Sequence, residues 1–440
     1  MISKLTRIVA HLKDPQLVAS IQQFFGVRIH YDRHNMTFQE EERFICARMN
    51  EKNHTSTCHD KKMNGCDAND KQLNADIEQT ILLKRTKISE PIIKHKETLS
   101  VLNNPNYTID NPFWYYVFIF GTELGDEVFY STFIPFLFWN IDGAVAQRVV
   151  LVWAIIMATG QMLKDIICWP RPACPPAVRL QNKWSQEYGM PSTHAMVGIT
   201  IPFSLVLFTM NKYIYPSSLG YIIALLWCAL VSMSRLYLGM HTVLDVVAGL
   251  VLAIALMIPL IPLVDITNSY VITNFWLVAI LIAISIAAIV YYPSSPKWTP
   301  TRNDTTMVVS VAAGLHVGAW LNYYTGLSRT SQSSSLFNII WPTYSTLGRM
   351  IIRTALGFFG VITTKKLCKF FSYIMICCIL QINWKELMKC QDYNSNRNKV
   401  FVDLVYRYLA CFMIGVNTVY LLPQVFSMIG IERPAFYMEI

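Results

Sequence analysis

The chain has 440 residues, of which 53% are hydrophobic and 15% charged, with 37 Lys+Arg against 28 Asp+Glu for a net charge of +9. That balance is far from a soluble enzyme's and close to a polytopic membrane protein's. The charges concentrate at one end: residues 1–110 hold 16 Lys+Arg and 14 Asp+Glu, leaving 21 and 14 for the other 330.

The first stretch reads as a polar tail. Lys13 and Asp14 break the apolar run near the start, so residues 1–23 lack the core of a cleaved signal peptide. The tail is expected to stay on the side where it is made. Phe38 to Asp76, rich in Glu, Lys, Asn and Asp, is expected to be mostly disordered. Cys58 and Cys66, with His54 and His59, fit no compact zinc spacing, and a solvated linker is the better account. Lys84, Arg85, Lys87, Lys94 and Lys96 fit anionic headgroups and a plain solvated basic face equally well. The eleven cysteines are scattered without a CxxC pair, and most of them read as buried thiols.

A membrane body begins near Phe113. Residues 113–139 are aromatic and apolar but interrupted by Glu123, Asp126 and Glu127, which fits one broken span or an interfacial helix followed by a short span. Clearer spans follow at 148–164, 194–211, 217–237, 241–264, 271–292 and 307–327, each near the ~20 residues a bilayer requires. Two or three more are expected between Leu347 and Phe426, where Lys365, Lys366 and Lys369 divide the apolar run. The fold class is therefore all-α, a polytopic transmembrane helix bundle of about 8–10 spans with a polar, partly disordered N-terminal tail. Three parts are expected: the tail (1–110), a membrane-embedded core (111–306) and additional C-terminal transmembrane helices (307–440).

Between these spans one window gathers Lys164, Arg171, His194, Arg235, His241 and Asp245. Ionisable groups are costly in hydrocarbon, so such a cluster marks function by default. Pro170 and Pro172 flank Arg171, so the helix carrying Lys164 is expected to stop near Trp169. Ser192 or Thr193 can cap a helix beginning at Pro191, turning its free amides toward an anion. Asp245 follows His241 by four residues, which on a helix puts imidazole and carboxylate on one face. Two crossings separate the second block from the third, and all three blocks fall on one membrane face.

These parts suit hydrolysis of a phosphomonoester through a phosphohistidine. Lys164, Arg171 and Arg235, with Ser192 and Thr193 at the helix start, would hold the phosphate. A neutral His241, its tautomer fixed by Asp245, would be the nucleophile, and His194 the general acid and then the base for water. With Lys, Arg and His around the phosphate and no carboxylate cluster, nothing suits Mg²⁺, so no metal or other cofactor is expected. Taken singly, each residue has a plainer account: a buried polar pair for His241 and Asp245, a helix-end anchor for Arg171, a snorkelling stem for Lys164. Their joint occurrence favours the enzyme. A broader-specificity lipid phosphate phosphatase or a lipid phosphotransferase is the runner-up, and a transporter or channel is the non-enzyme alternative, which corresponding halves would have supported.

The three blocks resemble the signature of the type 2 phosphatidic acid phosphatase superfamily, K-x6-RP, PSGH and SR-x5-H-x3-D. Lys164 to Pro172 and Ser234 to Asp245 match in full, and Thr193 stands where most members have glycine. The strings YGMPSTHAM and SRLYLGMHTVLDV, with DPQLVA and WTPTRNDTT, are similar to those of sphingosine-1-phosphate phosphatases, which share that threonine. The resemblance implies a metal-free, multi-pass lipid phosphatase of the endoplasmic reticulum membrane with a lumenal site. It narrows the substrate to sphingoid-base phosphates, whose free amine sits two carbons from the phosphate oxygen. The loop from Ala173 to Gly189, with Trp184 and Tyr188, is placed to cover that headgroup. Expected partners are the lipid substrate and membrane lipids, with no nucleic acid; oligomeric state is not legible. With a lumenal site and a cytosolic tail, the sequon at Asn303 would be open to glycosylation and those at Asn35, Asn53 and Asn106 would not.

Overall fold

With no water in the hydrocarbon layer to satisfy a backbone amide, long apolar runs settle as helices. The computed structural model describes residues 2–30, 106–327, 337–338, 342–382, 385, 387, 397–433 and 436–438. The expectations for Phe38–Asp76, for Cys58 and Cys66, and for the basic cluster at 84–96 lie outside these residues. Residues Met1–Arg28 and Ile109–Ile440 form one compact unit and Ile29–Thr108 another, in which His30 and Thr108 join side chains at 3.0 Å.

Two helices come first, α1 (Ile2–Lys13) and α2 (Pro15–Phe24). Asp14 caps α2, accepting from the Gln16 amide at 2.9 Å, and Pro15 takes the first position, where a missing N–H costs nothing. The body then runs α3 (Pro112–Glu123), α4 (Glu127–Asn140), α5 (Gly143–Ile167), α6 (Thr193–Thr209), α7 (Ser217–Tyr237) and α8 (Val243–Thr273). It continues through α9 (Phe275–Val290), α10 (Thr301–Tyr324), α11 (Tyr344–Ile379), α12 (Arg397–Val416), a π turn at Asn417–Leu421, and α13 (Leu422–Ile429). The strands are short, as where Tyr213–Ile214 pairs in parallel with Phe337–Asn338.

Among the described residues, α5, α7, α8, α11 and the segment Asn398–Ile429 are each long and apolar enough to cross a membrane, and α6 and α9 are shorter apolar helices. The multi-pass, all-α bundle expected from the sequence is what forms. The division of the C-terminal run by lysines is not: α11 continues for 36 residues through Lys365, Lys366 and Lys369. Lysine is a good helix former whose stem can lie along apolar surface while its amine reaches water, so charge alone does not end a helix.

The interrupted stretch 113–139 folds as two helices, α3 and α4, broken beside His194, that together carry the chain from one end of the bundle to the other. Phe118 on α3 packs against Tyr237 with ring centroids 4.7 Å apart, and a Cβ added at Gly121 would meet Leu230 at 2.9 Å, so α3 runs inward alongside the last turns of α7. After the break Asp126 caps α4, accepting from the Glu127 amide at 2.6 Å. At the other end, Asp142 pairs with Lys212, beyond the end of α6, at 2.5 Å. The chain therefore enters the membrane from the face where α7 ends. Residues 14–25 lie on that face too, where Phe25 packs on Trp114, Phe118 and Tyr237. For residues 14–25 this corrects the expectation of a tail and a catalytic site on opposite sides. The sequon at Asn303 also differs from expectation, lying half-buried in the first turn of α10 rather than in an open loop.

Helices in lipid gain little from burying apolar area against each other, and small residues let their backbones close up instead. Gly314 and Gly318 do this on α10: an added Cβ at Gly314 would run into the carbonyl of Phe412, and one at Gly318 would meet Val419 at 3.1 Å. A buried cluster of Trp139, Val149, Val150, Trp153, Ile156, Met196 and Ile201 ties α4, α5 and α6 beneath the charged window.

Candidate active site

Lys164 sits on the last turns of α5, with its side chain 1% exposed. The helix stops at Ile167, two residues earlier than expected, where Cys168 takes a left-handed conformation and donates its N–H to Lys164 O at 2.9 Å. Buried this deeply, the ammonium needs partners, and finds two: Glu187 Oε2 at 2.6 Å and Thr193 Oγ1 at 2.9 Å. Thr193, in the glycine position of the wider signature, thus serves as an acceptor for the lysine.

Arg171 leaves the chain in the loop after α5. Its Nε donates to the Glu187 carbonyl at 2.9 Å and one terminal nitrogen to the Met240 carbonyl at 2.7 Å, while that same nitrogen lies 3.4 Å from His241 Nε2. Burial pushes this guanidinium down to about 10, with the Glu187 charge opposing, so it stays protonated at neutral pH. Arg235, on the last turn of α7, is fully buried; one terminal nitrogen donates to Thr122 Oγ1 at 2.5 Å and Gln181 Oε1 at 3.3 Å. Its Nε and NH2 have no hydrogen-bond partner among the described residues, nor do Ser192 Oγ, His194 Nε2 and His241 Nδ1.

Ser192 caps α6 without a side-chain bond, while its backbone N–H donates to Asp245 O at 3.0 Å. That contact is possible because Gly249 on α8 faces it: a Cβ there would meet Ser192 O at 2.7 Å. His194 follows on the first turn of α6, beside Trp184 at 6.2 Å between ring centroids. Trp184 of the loop after Arg171 thus stands next to His194, and Tyr188 lies under Lys297 at 4.4 Å.

His241 and Asp245 come together differently from the expected helical face. His241 precedes α8, which begins at Val243, and Asp245 is the third residue of a capping box with Thr242, whose N–H donates to Asp245 Oδ2 at 2.7 Å. His241 Nδ1 lies 3.8 Å from that oxygen, an ion-pair distance rather than a hydrogen bond. The i,i+4 spacing brought the two near each other through a turn. Burial holds the His241 imidazole well below its ordinary value, and the charges of Arg171, Arg235 and Lys164 push in the same direction. It is therefore neutral at neutral pH. His194 is within electrostatic range of it.

All eight residues singled out in the sequence lie in this one region. Sequence reasoning missed Glu187, which is 4% exposed between Lys164 and Arg171 and stands immediately before the similar string YGMPSTHAM. It also missed Gln22. That side chain, 1% exposed, donates to Val178 O at 2.7 Å and Tyr237 O at 2.8 Å, and accepts from Val178 N at 2.9 Å. It staples the loop after Arg171 to the end of α7. Asp165, beside Lys164, accepts from Thr299, Thr301 and Tyr292 and so ties the α9–α10 connection to the same face.

The profile of the PAP2 superfamily matches residues 146–269, which takes in all three blocks. Over 319 residues the chain is 37% identical to sphingosine-1-phosphate phosphatase 1 of Rattus norvegicus, covering 72% of this chain and 73% of that protein. It is 38% identical to the Mus musculus counterpart over the same shares. To sphingosine-1-phosphate phosphatase 2 of Homo sapiens it is 34% identical, over 74% of this chain and 80% of the other. No solved structure matches.

Proposed function

The chain belongs to the sphingosine-1-phosphate phosphatases of the PAP2 superfamily, multi-pass membrane phosphatases acting on lipid phosphates, and from that premise we propose that it hydrolyses sphingosine-1-phosphate and related sphingoid-base phosphates in the endoplasmic reticulum membrane. The observation that carries this is the convergence of Lys164, Arg171 and Arg235 beside a buried His241, with Arg235 Nε and NH2 unpaired among the described residues.

In this reading a lipid phosphate enters with its chain in the bilayer and its phosphate against Lys164, Arg171, Arg235 and the start of α6 at Ser192 and Thr193. Lys164 has three donors and spends two on Glu187 and Thr193, leaving one for phosphate. His241 carries its proton on Nδ1, toward Asp245, which leaves the Nε2 lone pair facing Arg171. Nε2 attacks phosphorus, the ester P–O bond breaks, and His194 gives the departing alkoxide a proton. Water then attacks the phosphohistidine, His194 takes up its proton, and the N–P bond breaks to release phosphate. No step calls for a metal.

The test is phosphate release by purified protein from lipid monophosphates in mixed micelles at equal surface concentration. Sphingosine-1-phosphate and its dihydro form should be hydrolysed much faster than phosphatidic acid or glycerol phosphate. If phosphatidic acid wins, the sphingoid reading falls.

A further inference from the structure

Glu187 sits among the proposed phosphate ligands, yet phosphate chemistry does not call for a carboxylate there. Its carboxylate lies 2.6 Å from Lys164 Nζ and 4.0 Å from Arg171 NH2, and Arg171 Nε holds its backbone carbonyl at 2.9 Å. A phosphate gripped by these two cations takes over part of their pairing with Glu187 and brings a second anion against a buried carboxylate.

A head group that brings its own cation resolves the conflict. In a sphingoid-base phosphate the ammonium is two carbons from the ester oxygen, which by bond lengths near 1.5 Å places it roughly 4–5 Å from phosphorus. The Glu187 carboxylate, 2.6 Å from Lys164 Nζ and 4.0 Å from Arg171 NH2, the cations proposed to hold the phosphate, is within that reach. We propose that Glu187 reads the substrate's ammonium: as phosphate engages Lys164 and Arg171, the carboxylate exchanges part of that pairing for the amine. A head group without a cation leaves a buried carboxylate short of partners and is rejected by that penalty. The proposal rests on the hydrolysis of sphingoid-base phosphates argued above.

The experiment compares sphingosine-1-phosphate with its N-acetyl counterpart, which keeps phosphate and chain but loses the charge, in wild type, Glu187→Gln and Glu187→Asp. Wild type should favour the amine by about tenfold or more in kcat/KM, equivalent to about 1.4 kcal/mol. In Glu187→Gln the ratio should collapse toward one, mainly through gain on the N-acetyl compound. In Glu187→Asp, which keeps the charge, it should stay above the Gln value. A wild-type ratio near one overturns the proposal and leaves the hydrolase reading standing. So do variants that lose both substrates alike, which would make Glu187 only a counter-charge for Lys164. A wild type that hydrolyses neither lipid refutes the proposed function, and this inference with it.

Discussion

At the scale of single residues, the two histidines differ in what they are asked to do, and the difference is measurable. His194→Ala should lose several orders of magnitude on a sphingoid-base phosphate, since positioned acid–base catalysis contributes about 10²–10⁴-fold. A substrate with an activated leaving group, which needs no proton, should recover part of the first step. An imidazole attacks only when neutral, and burial holds His241 well below the ordinary histidine value, so its acid limb in kcat/KM should fall below about pH 6.5. Arg171→Gln removes a neighbouring positive charge, which makes protonation easier, raises the imidazole value and should move that limb to higher pH. A limb that stays put or moves down would contradict this electrostatic account. Because the phosphate ligands are cationic side chains, activity should survive EDTA, while vanadate should inhibit by adopting the five-coordinate geometry of in-line transfer at His241. Much of this was legible in the sequence, since cations and histidines stand out against apolar runs. The His241–Asp245 contact was legible in proximity but not in geometry, because spacing alone does not say whether the helix starts before or after the histidine. Glu187 went unread because one acid in a polar loop looks like any solvated acid until its neighbours are known.

At the scale of elements, the loop carrying Arg171 is held from a part of the chain that composition describes only as a tail. Gln22 satisfies both backbone groups of Val178 and the Tyr237 carbonyl. Gln22→Ala should cost about 1–3 kcal/mol, the range for buried groups left unpaired, seen as earlier thermal inactivation in detergent. It should also lower kcat, and Gln22→Glu should not rescue it, because the two carbonyls of Val178 and Tyr237 need donors that a carboxylate lacks. Gly249→Val tests the other support. Its side chain would drive into Ser192 O, an atom of backbone that cannot move aside, so phosphate binding should weaken. Equal KM values in that variant and wild type would separate the α6–α8 contact from the site. The sequence showed the spans because length and apolarity decide them. It did not show α1 and α2, whose place is set by contacts across some two hundred residues, nor the continuity of α11 through its lysines.

At the scale of the whole molecule, the broken crossing of α3 and α4 sets which side the N-terminal helices occupy. Cysteines placed at Phe24 and at Lys297 should react with an impermeant thiol reagent from the same side of sealed microsomes. Labelling from opposite sides would contradict the single crossing.

The central claim is that His241 becomes phosphorylated, and an acid-versus-base stability assay of the quenched phosphoenzyme tests it most directly. Purified protein mixed with sphingosine-1-³²P-phosphate and stopped within milliseconds to seconds should carry label that is lost in acid, survives alkali and maps to His241. His241→Ala should show neither label nor turnover. Label that survives acid, or wild-type turnover in His241→Ala, would contradict the mechanism.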